Sequence, residues 1–301
     1  MINNLKITSW NVNTHQVQHQ HELQVVLLVD TENIDICLIS EGHFTRQTFV
    51  KIQGYKIYHA LHPDNAARGA EGLVNGSYVP EHCNPKFSVA ILVPYRNRQS
   101  QLDIFLPYIH NFLRKQNIHY RIYVIEQQDE KKFNRGTLFN FGAKTAIRDK
   151  FPCLILHDVD LLPLDESNLY ACSDKPRHMS ASLDKFRFTH PYETLAGGVL
   201  AVKSEQFVAV NGFSNRFEGW GGEDDDFYRR LTAHQFNIIR YPREMSRYTM
   251  LEHPQEPPNS ARRRILKENL HLGSIEGLST LPHVTTNVKN HRLFTLIGVQ
   301  L

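Results

Sequence analysis

Residues 87–94 read FSVAILVP, a continuous apolar run that ends at a proline, which is the pattern of a fully buried strand. Apolar residues then recur at the spacing of an amphipathic helix: Leu102, Phe105, Leu106, Ile109, Phe112 and Leu113. A strand over 120–127, a helix over about 137–150 and a strand over 153–161 (CLILHDVDL) follow. This β-α-β-α-β alternation predicts an α/β fold with a parallel sheet, whose ligands lie at the carboxyl ends of the strands.

The overall composition sets few limits on function. The chain has 301 residues, enough for one large domain or two small ones, and its 34 basic and 31 acidic residues give a formal charge of +3. This near balance of charge neither supports nor excludes binding to nucleic acid. No segment approaches the roughly 20 apolar residues of a membrane-spanning helix, so we expect the chain as written to be soluble. The cysteines have no CxxC spacing that would indicate zinc: Cys37, Cys83, Cys153 and Cys172.

The third strand ends in His157-Asp158-Val159-Asp160, so it delivers two carboxylates, on the same side, to the edge where ligands bind. Carboxylate oxygens suit Mg²⁺ or Mn²⁺, and such a cation could also hold the diphosphate of a nucleotide. An isolated Asp-x-Asp pair more often caps a turn. The pair therefore indicates a metal site only when other groups support it.

A glycine-rich loop with a tryptophan precedes four consecutive acidic residues in RFEGWGGEDDDFYRRL, residues 216–231. The acidic residues begin a helix, and part of their acidity simply favours a helix N-terminus. A tryptophan among glycines has little reason to be there for packing, whereas an exposed ring on a loop can bind the face of a sugar. Met250 and His253 form a third group, which fits either metal ligation or packing.

Six motifs together resemble the catalytic domain of the animal β1,4-galactosyltransferases over residues 75–301: FSVAILVPYRNRQ, FNRGTLFNFGAK, LILHDVDLLP, CSDKPRHMSASLDKF, AGGVLAV and FEGWGGEDDDFYRRL. The resemblance implies a GT-A type nucleotide-sugar-binding fold with a mainly parallel central sheet and flanking helices. This agrees with the alternation above. It also implies a UDP-sugar donor and dependence on Mn²⁺.

By the resemblance, the donor contacts come from five parts of the chain: Pro94, Tyr95, Arg96, Asn97 and Arg98; Phe133, Asn134 and Arg135; Val159 and Asp160; Trp220; and His253. Arginine guanidinium groups and an asparagine amide can form hydrogen bonds with phosphate oxygens and with the edge of uracil, and an aromatic ring can pack on the base. The alternative for the first two segments is a strand-end turn with solvated arginines. Trp220 is expected to move over the bound donor.

The resemblance also implies the protein ligands of Mn²⁺, with phosphate oxygens completing the shell: Asp160, Met250 and His253. The implied acceptor contacts are Tyr192, Gly222, Glu223, Asp224, Asp225 and Arg262. The implied reaction is a single displacement with inversion at C1 of the donor sugar. Asp224 is the expected general base, with Glu223 beside it, and Mn²⁺ would stabilise the leaving UDP. Residues 247–268 are expected to close as a lid after the donor binds.

Leu195 departs from the family pattern, because the vertebrate galactosyltransferases carry a tyrosine at this position. A tyrosine crowds the C2 substituent of the donor, whereas an aliphatic residue leaves room for an N-acetyl group, as in invertebrate β1,4-N-acetylgalactosaminyltransferases. We therefore expect UDP-GalNAc as donor and GlcNAc-terminated glycans as acceptors. UDP-Gal is the alternative donor. A second departure is Arg263, where a phenylalanine is expected beside the acceptor.

The cysteines bear on location. The resemblance pairs Cys153 with Cys172, while the usual partner of Cys83 is missing. The related enzymes are Golgi membrane proteins, so the resemblance implies that the catalytic domain lies in the Golgi lumen. The sequence contains no anchor, so we expect membrane association only through an anchor outside it.

The first 70 residues resemble another family. LKITSWNVNTH, IDICLISEGHF and GYKIYHALHPDNAARG are similar to the beginning of retrotransposon endonucleases of the endonuclease/exonuclease/phosphatase family, in which Asn11 and Glu41 would be metal-site residues. The later motifs of that family are missing. We therefore expect residues 1–70 to be a small, incomplete α/β segment without catalytic function, and residues 75–301 to be the transferase domain. An inactive fusion and a nucleic-acid-binding remnant are the alternatives, although no basic signature supports nucleic acid.

Overall fold

The computed structural model describes five stretches of the chain: residues 24–29, 34–40, 72–254, 257–272 and 275–301. The chain divides into two compact units, Met1–His62 and Pro63–Leu301. In the first unit, β1 (Gln24–Val29) pairs with β2 (Ile34–Ser40) in antiparallel fashion. Asn11 and Glu41, the residues with a predicted endonuclease role, lie outside the described residues.

The second unit holds the remaining elements. Its strands are β3 (Ser77–Tyr78), β4 (Ser88–Tyr95), β5 (His119–Gln127), β6 (Cys153–His157), β7 (Leu161–Pro163), β8 (Arg177–His178), β9 (Ser182–Leu183), β10 (Val199–Lys203), β11 (Arg247–Met250), β12 (Thr286–Asn290) and β13 (Thr295–Val299). Its α-helices are α1 (Gln99–Arg114), α2 (Arg135–Arg148), α3 (Ser204–Ala209), α4 (Glu223–Ala233) and α5 (Arg262–Leu272). Short 3₁₀ turns cover Asp184–Phe186 and Leu278–Thr280.

The large sheet has a parallel centre and antiparallel edges. Its order is β12-β13-β5-β4-β6-β10-β8, with β3 also paired to β5. Strands β13, β5, β4 and β6 run parallel, while β10 is antiparallel to β6 and β8, and β12 is antiparallel to β13. The predicted alternation is therefore confirmed as β4, α1, β5, α2 and β6. A separate sheet joins β11 to β7 and to β9.

The sheet separates two apolar cores because successive side chains of a strand point to opposite faces. In β4, Val89, Ile91 and Val93 belong to the core covered by α1. Ala90 and Leu92 belong to the core covered by α2. Both faces of the strand are buried, as expected for a continuous apolar run in a parallel sheet.

The structure differs from the prediction where the third strand was expected to continue to residue 161. β6 ends at His157, and the chain turns before β7 begins. The turn closes because the Leu161 N–H donates to the Asp158 carbonyl, 3.3 Å away. Asp158 and Asp160 therefore lie in a turn between two strands.

Cys153 and Cys172 form a disulfide with their Cα atoms 5.6 Å apart, and Cys83 is free and exposed. The bridge joins the start of β6 to the segment before β8. In the parts of the chain that the structure describes, none of the helices has the length and apolar content required to cross a bilayer.

Candidate functional site

Arg135 joins the turn after β6 to the beginning of α4. Its Nε donates to Asp158 Oδ1 at 2.7 Å, and its Nη1 lies 3.3 Å from Glu223 Oε1. The guanidinium also lies over the ring of Phe139, 4.7 Å from its centre. Two acidic motifs that are far apart in sequence therefore meet at one largely buried arginine.

The N-terminus of α2 places Arg135 at this point. Asn134 caps the helix, because its side chain accepts a hydrogen bond from the Thr137 N–H at 3.0 Å. The Asn134 N–H donates to Gln127 Oε1 at 2.9 Å, and its amide nitrogen donates to the Asn215 carbonyl at 2.8 Å. The cap is tied to the end of β5 and to the segment before α4, which fixes the first helical residue.

The two carboxylates that face Arg135 are unusually easy to protonate. Burial raises the pKa of Asp158 to about 6 and that of Glu223 to about 7, and the nearby charge of Asp224 adds to the second shift. Arg135 opposes both shifts without cancelling them. Among the described residues, Glu223 Oε2 is buried and has no hydrogen-bond partner. A buried oxygen of this kind costs about 1–3 kcal/mol unless a ligand pairs with it.

Asp160 and His253 form the second cluster of the site. His253 Nε2 lies 2.7 Å from Asp160 Oδ2, and this hydrogen bond raises the pKa of the imidazole. His253 Nδ1 donates to the Pro254 carbonyl at 2.9 Å, which directs Nε2 toward the carboxylate. The Arg98 guanidinium lies 3.4 Å from the same Nδ1 and donates to the Pro254 carbonyl.

Strand β11 places Met250 next to the turn that carries Asp160. Met250 pairs with Leu161, and the Leu251 N–H donates to the Asp160 carbonyl at 2.7 Å. Within the described residues, no further His, Cys, Asp or Glu joins Asp160 and His253 to form a three-residue metal cluster. A carboxylate, an imidazole and a thioether would thus offer part of a coordination shell, which phosphate oxygens of a ligand could complete.

The beginning of α4 carries a third cluster. The Tyr192 hydroxyl lies near the Asp225 carboxylate, and burial raises the pKa values of both groups. Asp224 packs against Gly197, where a Cβ would lie only 2.5 Å from Asp224 Oδ2. A carboxylate and a phenol therefore lie side by side next to the buried Glu223.

Trp220 lies on the rim of the site with 48% of its surface exposed. Its ring faces the Arg262 guanidinium at 5.1 Å, and its carbonyl accepts the Asn259 N–H at 3.0 Å. Gly221 and Gly222 have φ angles of 99° and 100°, in the left-handed region that favours glycine. At Gly221 a Cβ would also meet the end of the flexible Arg262 side chain at 2.9 Å, which can move aside. The φ angle is therefore what favours glycine there.

Comparison with known proteins identifies the family. A family model described as the N-terminal region of glycosyl transferase group 7 matches residues 51–173, and one described as the N-terminal domain of galactosyltransferase matches residues 177–254. Together they match more than half of the chain. This chain belongs to the β1,4-galactosyltransferase family. β1,4-Galactosyltransferase 2 of Cricetulus griseus is 38% identical over 234 residues, which cover 76% of this chain and 63% of that protein.

Solved structures support the same family. The catalytic domain of Drosophila β1,4-galactosyltransferase 7 in complex with xylobiose has a TM-score of 0.62 and 28% identity, covering 71% of this chain and 94% of that one. A mutant of that enzyme, in complex with manganese, UDP-Gal and xylobiose, has a TM-score of 0.61 and the same identity and coverage. The predicted GT-A fold is confirmed. The chain spans about 60–63% of the length of the curated relatives that it matches first.

Most of the residues singled out by the β1,4-galactosyltransferase motifs lie together. Arg96 stacks on Phe133 with its guanidinium 5.3 Å from the ring centre and bonds to the Lys131 carbonyl. Tyr95 differs from the expectation of a ring exposed to a base, because β4 extends one residue further than predicted. The period of two then points the Tyr95 ring into the core with Val93, and only 6% of the residue is exposed.

The segment around Leu195 is held by residues that the motifs did not indicate. The Leu195 N–H donates to the Tyr192 carbonyl at 3.1 Å, which closes a turn. Arg240 donates to the carbonyl of Leu195 at 3.0 Å and to that of Glu193 at 2.6 Å. Leu195 is partly buried beside the site. No local sequence pattern indicated the role of Arg240, because it lies 45 residues from Leu195.

Proposed function

We propose that residues 75–301 form an Mn²⁺-dependent inverting glycosyltransferase. The enzyme would move GalNAc from UDP-GalNAc to the 4-hydroxyl of a terminal GlcNAc on a glycoprotein or glycolipid. The observation that carries the proposal is the contact of Arg135 with both Asp158 and Glu223, since it joins the strand-end motif to the acidic helix. The manganese, UDP-Gal and xylobiose bound by the Drosophila relative support a nucleotide-sugar donor and a sugar acceptor.

The donor would bind across the ends of β4 and β6. Phe133, with Arg96 on its ring, supplies the aromatic group for the base, while Arg98 reaches toward His253. The arginine guanidinium groups at this edge of the sheet can bind the diphosphate through paired hydrogen bonds. Asp160, Met250 and His253 would hold the Mn²⁺, which supplies positive charge to the leaving diphosphate.

Asp224 would take the proton from the acceptor hydroxyl as the oxygen forms its bond to C1. The C1–O bond to UDP breaks in the same step, and its electron pair leaves with UDP. Tyr192 and Asp225 would orient the acceptor beside this base. The unpaired Oε2 of Glu223 would accept a hydrogen bond from a sugar hydroxyl, which removes the cost of leaving it buried alone.

Leu195 is the basis for choosing GalNAc, because a leucine leaves more room beside the donor than a tyrosine does. UDP-Gal is the second candidate donor, and the names of the related enzymes favour it. The Cys153–Cys172 disulfide supports a location in the oxidising secretory pathway, and we place the activity in the Golgi lumen. We assign residues 1–70 no catalytic role.

The test is transfer by the full chain with Mn²⁺, a GlcNAc-terminated acceptor, and UDP-GalNAc and UDP-Gal in parallel. We expect the larger kcat/KM for UDP-GalNAc. Leu195→Tyr should shift the ratio of the two kcat/KM values toward UDP-Gal by about 10–100-fold, the range that one pocket substitution typically gives. Leu195→Met is the matched control and should leave the ratio nearly unchanged.

Faster transfer from UDP-Gal by the unmodified chain would reject the donor assignment and leave the family intact. An absence of transfer from both donors by a folded chain that binds UDP would favour the inactive fusion. DNA binding that weakens with salt would instead favour a nucleic-acid-binding remnant in the first 70 residues.

A further inference from the structure

A chain of hydrogen-bonded side chains is buried behind the candidate metal ligands. His157 Nε2 lies 2.9 Å from the Tyr170 hydroxyl, which lies 3.0 Å from the Tyr248 hydroxyl. The Asn168 amide nitrogen reaches the Tyr248 hydroxyl at 3.4 Å. All four residues have 0% exposure. We refer to Asn168, Tyr248, Tyr170 and His157 as the buried relay.

The chemistry of the groups allows one direction for the hydrogens of the relay. His157 Nδ1 lies 2.8 Å from the Asp158 carbonyl, which can only accept, so Nδ1 carries the hydrogen. Nε2 must then accept from Tyr170. The Tyr170 hydroxyl in turn accepts from Tyr248, which accepts from the Asn168 amide. Burial lowers the pKa of His157 to about 4, so the ring stays in the neutral form that this order requires.

The relay is attached to both segments that carry the candidate ligands. His157 is the last residue of β6 and directly precedes the turn that holds Asp160. Tyr248 lies on β11, the strand that ends at Met250. The hydroxyl contacts therefore bridge the two segments from within the core, where water cannot replace them.

Asp184 holds β11 from another direction. Its carboxylate accepts the Met250 N–H at 3.1 Å and the Thr249 hydroxyl at 2.5 Å. Together with the Leu251 N–H that donates to the Asp160 carbonyl, these bonds fix the backbone of β11 around the metal side of the site.

We propose that the buried relay positions Asp160 and Met250 for the cation, so that its residues act on metal affinity through the ligands. The inference rests on the proposed function of the site. Ligands must be held to within a fraction of an ångström, and residues that orient ligands typically change metal affinity about 10–100-fold when they are substituted. A relay that served only to satisfy buried polar groups would affect stability and leave the affinity of the folded protein unchanged.

The test is Tyr248→Phe in the full chain, which removes one hydroxyl and keeps the ring. The matched control is Tyr120→Phe. Tyr120 is also 0% exposed, and its hydroxyl bonds to a buried histidine, His110 Nδ1, at 2.9 Å. Tyr120 lies in β5 and has no described contact with the candidate ligands. Mn²⁺ affinity in the presence of UDP, measured by electron paramagnetic resonance, and thermal unfolding are recorded for both variants.

We expect Tyr248→Phe to weaken Mn²⁺ binding by about tenfold or more, and Tyr120→Phe to change it by less than about twofold. Both variants should lose comparable stability. Tyr170→Phe, which interrupts the relay at its middle, should reproduce the loss of affinity. Equal Mn²⁺ affinities for the folded Tyr248→Phe and Tyr120→Phe proteins would overturn the inference alone, whereas an unmodified chain that binds no Mn²⁺ with UDP would overturn the proposed function as well.

Discussion

The metal side and the tryptophan side of the site are held by different kinds of contact. On the metal side, the strand that carries Met250 is hydrogen-bonded to the turn that carries Asp160, and fully buried side chains lie behind both. On the tryptophan side, the ring of Trp220 is about half exposed. Its described contacts include a backbone hydrogen bond from Asn259 and the Arg262 guanidinium.

These contacts differ in energy. An exposed cation–π contact contributes about 0.5–1 kcal/mol, whereas an unsatisfied buried polar group costs about 1–3 kcal/mol. The metal side is therefore expected to keep its geometry before any ligand arrives, while the tryptophan side can rearrange at little cost. Substitutions on the first side should act on the cation, and those on the second should act on the acceptor.

The largest effect is expected for Asp160→Asn. The amide keeps the shape of the side chain but removes the negative charge next to His253, and a cation supplies several kcal/mol to a reaction of this kind. We expect kcat/KM to fall by about 10³-fold or more. The measurement is the initial transfer rate as a function of Mn²⁺ concentration.

Asp174→Asn is the control for the loss of one carboxylate, because the Asp174 side chain is almost fully exposed and pairs with Lys203. Removal of divalent cations with a chelator should abolish transfer by the unmodified chain, and added Mn²⁺ should restore it. Full activity of Asp160→Asn at low Mn²⁺ would show that the metal side has been placed wrongly.

Asp224→Asn should have the next largest effect. Loss of a general base typically lowers kcat by about 10²–10⁴-fold, and UDP binding should remain because the substitution leaves the donor side intact. Asp225→Asn is the comparison, since the Asp225 carboxylate lies near Tyr192 and its loss should act mainly on the KM for the acceptor. If Asp225→Asn lowers kcat more than Asp224→Asn does, the two roles must be exchanged.

The central part of the fold could be predicted from the sequence, and the edges could not. β4, β5 and β6 are apolar runs separated by helical periods, which identify a parallel sheet without further information. β8 has two residues, and β12 reads TNVKN and is exposed throughout, so neither has an apolar pattern. β8 is placed by its pairing with β10, and β12 by its pairing with β13 across a short loop, so both positions depend on strand pairing and not on an apolar pattern.

The residues of the candidate site also divide into those that a local sequence pattern indicates and those that it does not. Short motifs contained Asp160, Glu223 and Trp220, because each stands in an unusual local string. The buried relay has no local signal, since Tyr170 and Tyr248 are 78 residues apart and each alone resembles an ordinary core tyrosine. The unpaired oxygen of Glu223 has no local signal either, because it depends on the position of Arg135, which is far from Glu223 in sequence and pairs with the other oxygen.

Glu223 lies between the two sides, and its protonation should be visible in the free energy of unfolding. Burial raises its pKa from 4.5 to about 7, so the folded state binds this proton more tightly than the unfolded state does. Stability should therefore fall as pH rises from about 4.5 to about 7, by on the order of 3 kcal/mol for this group. Glu223→Gln should flatten the dependence.

The measurement is chemical unfolding of both proteins across this pH range, without metal or donor. Glu218→Gln is the control, because Glu218 is exposed and lies in the loop before α4. The same pH dependence of the free energy of unfolding in the unmodified chain and in Glu223→Gln would contradict this prediction. It would mean that water reaches the Glu223 carboxylate, so that Oε2 does not stay unpaired until a ligand binds.

The smallest effect is expected on the tryptophan side. Arg262→Ala removes the guanidinium over Trp220, a contact worth about 0.5–1 kcal/mol, so the KM for the acceptor should rise about 2–5-fold. Mn²⁺ affinity should not change. Arg264→Ala is the control, because Arg264 is exposed and pairs with Glu268 on its own helix. A change in Mn²⁺ affinity in Arg262→Ala would mean that the two sides are coupled in the absence of acceptor, and that the exposed loop contributes to the geometry of the cation site.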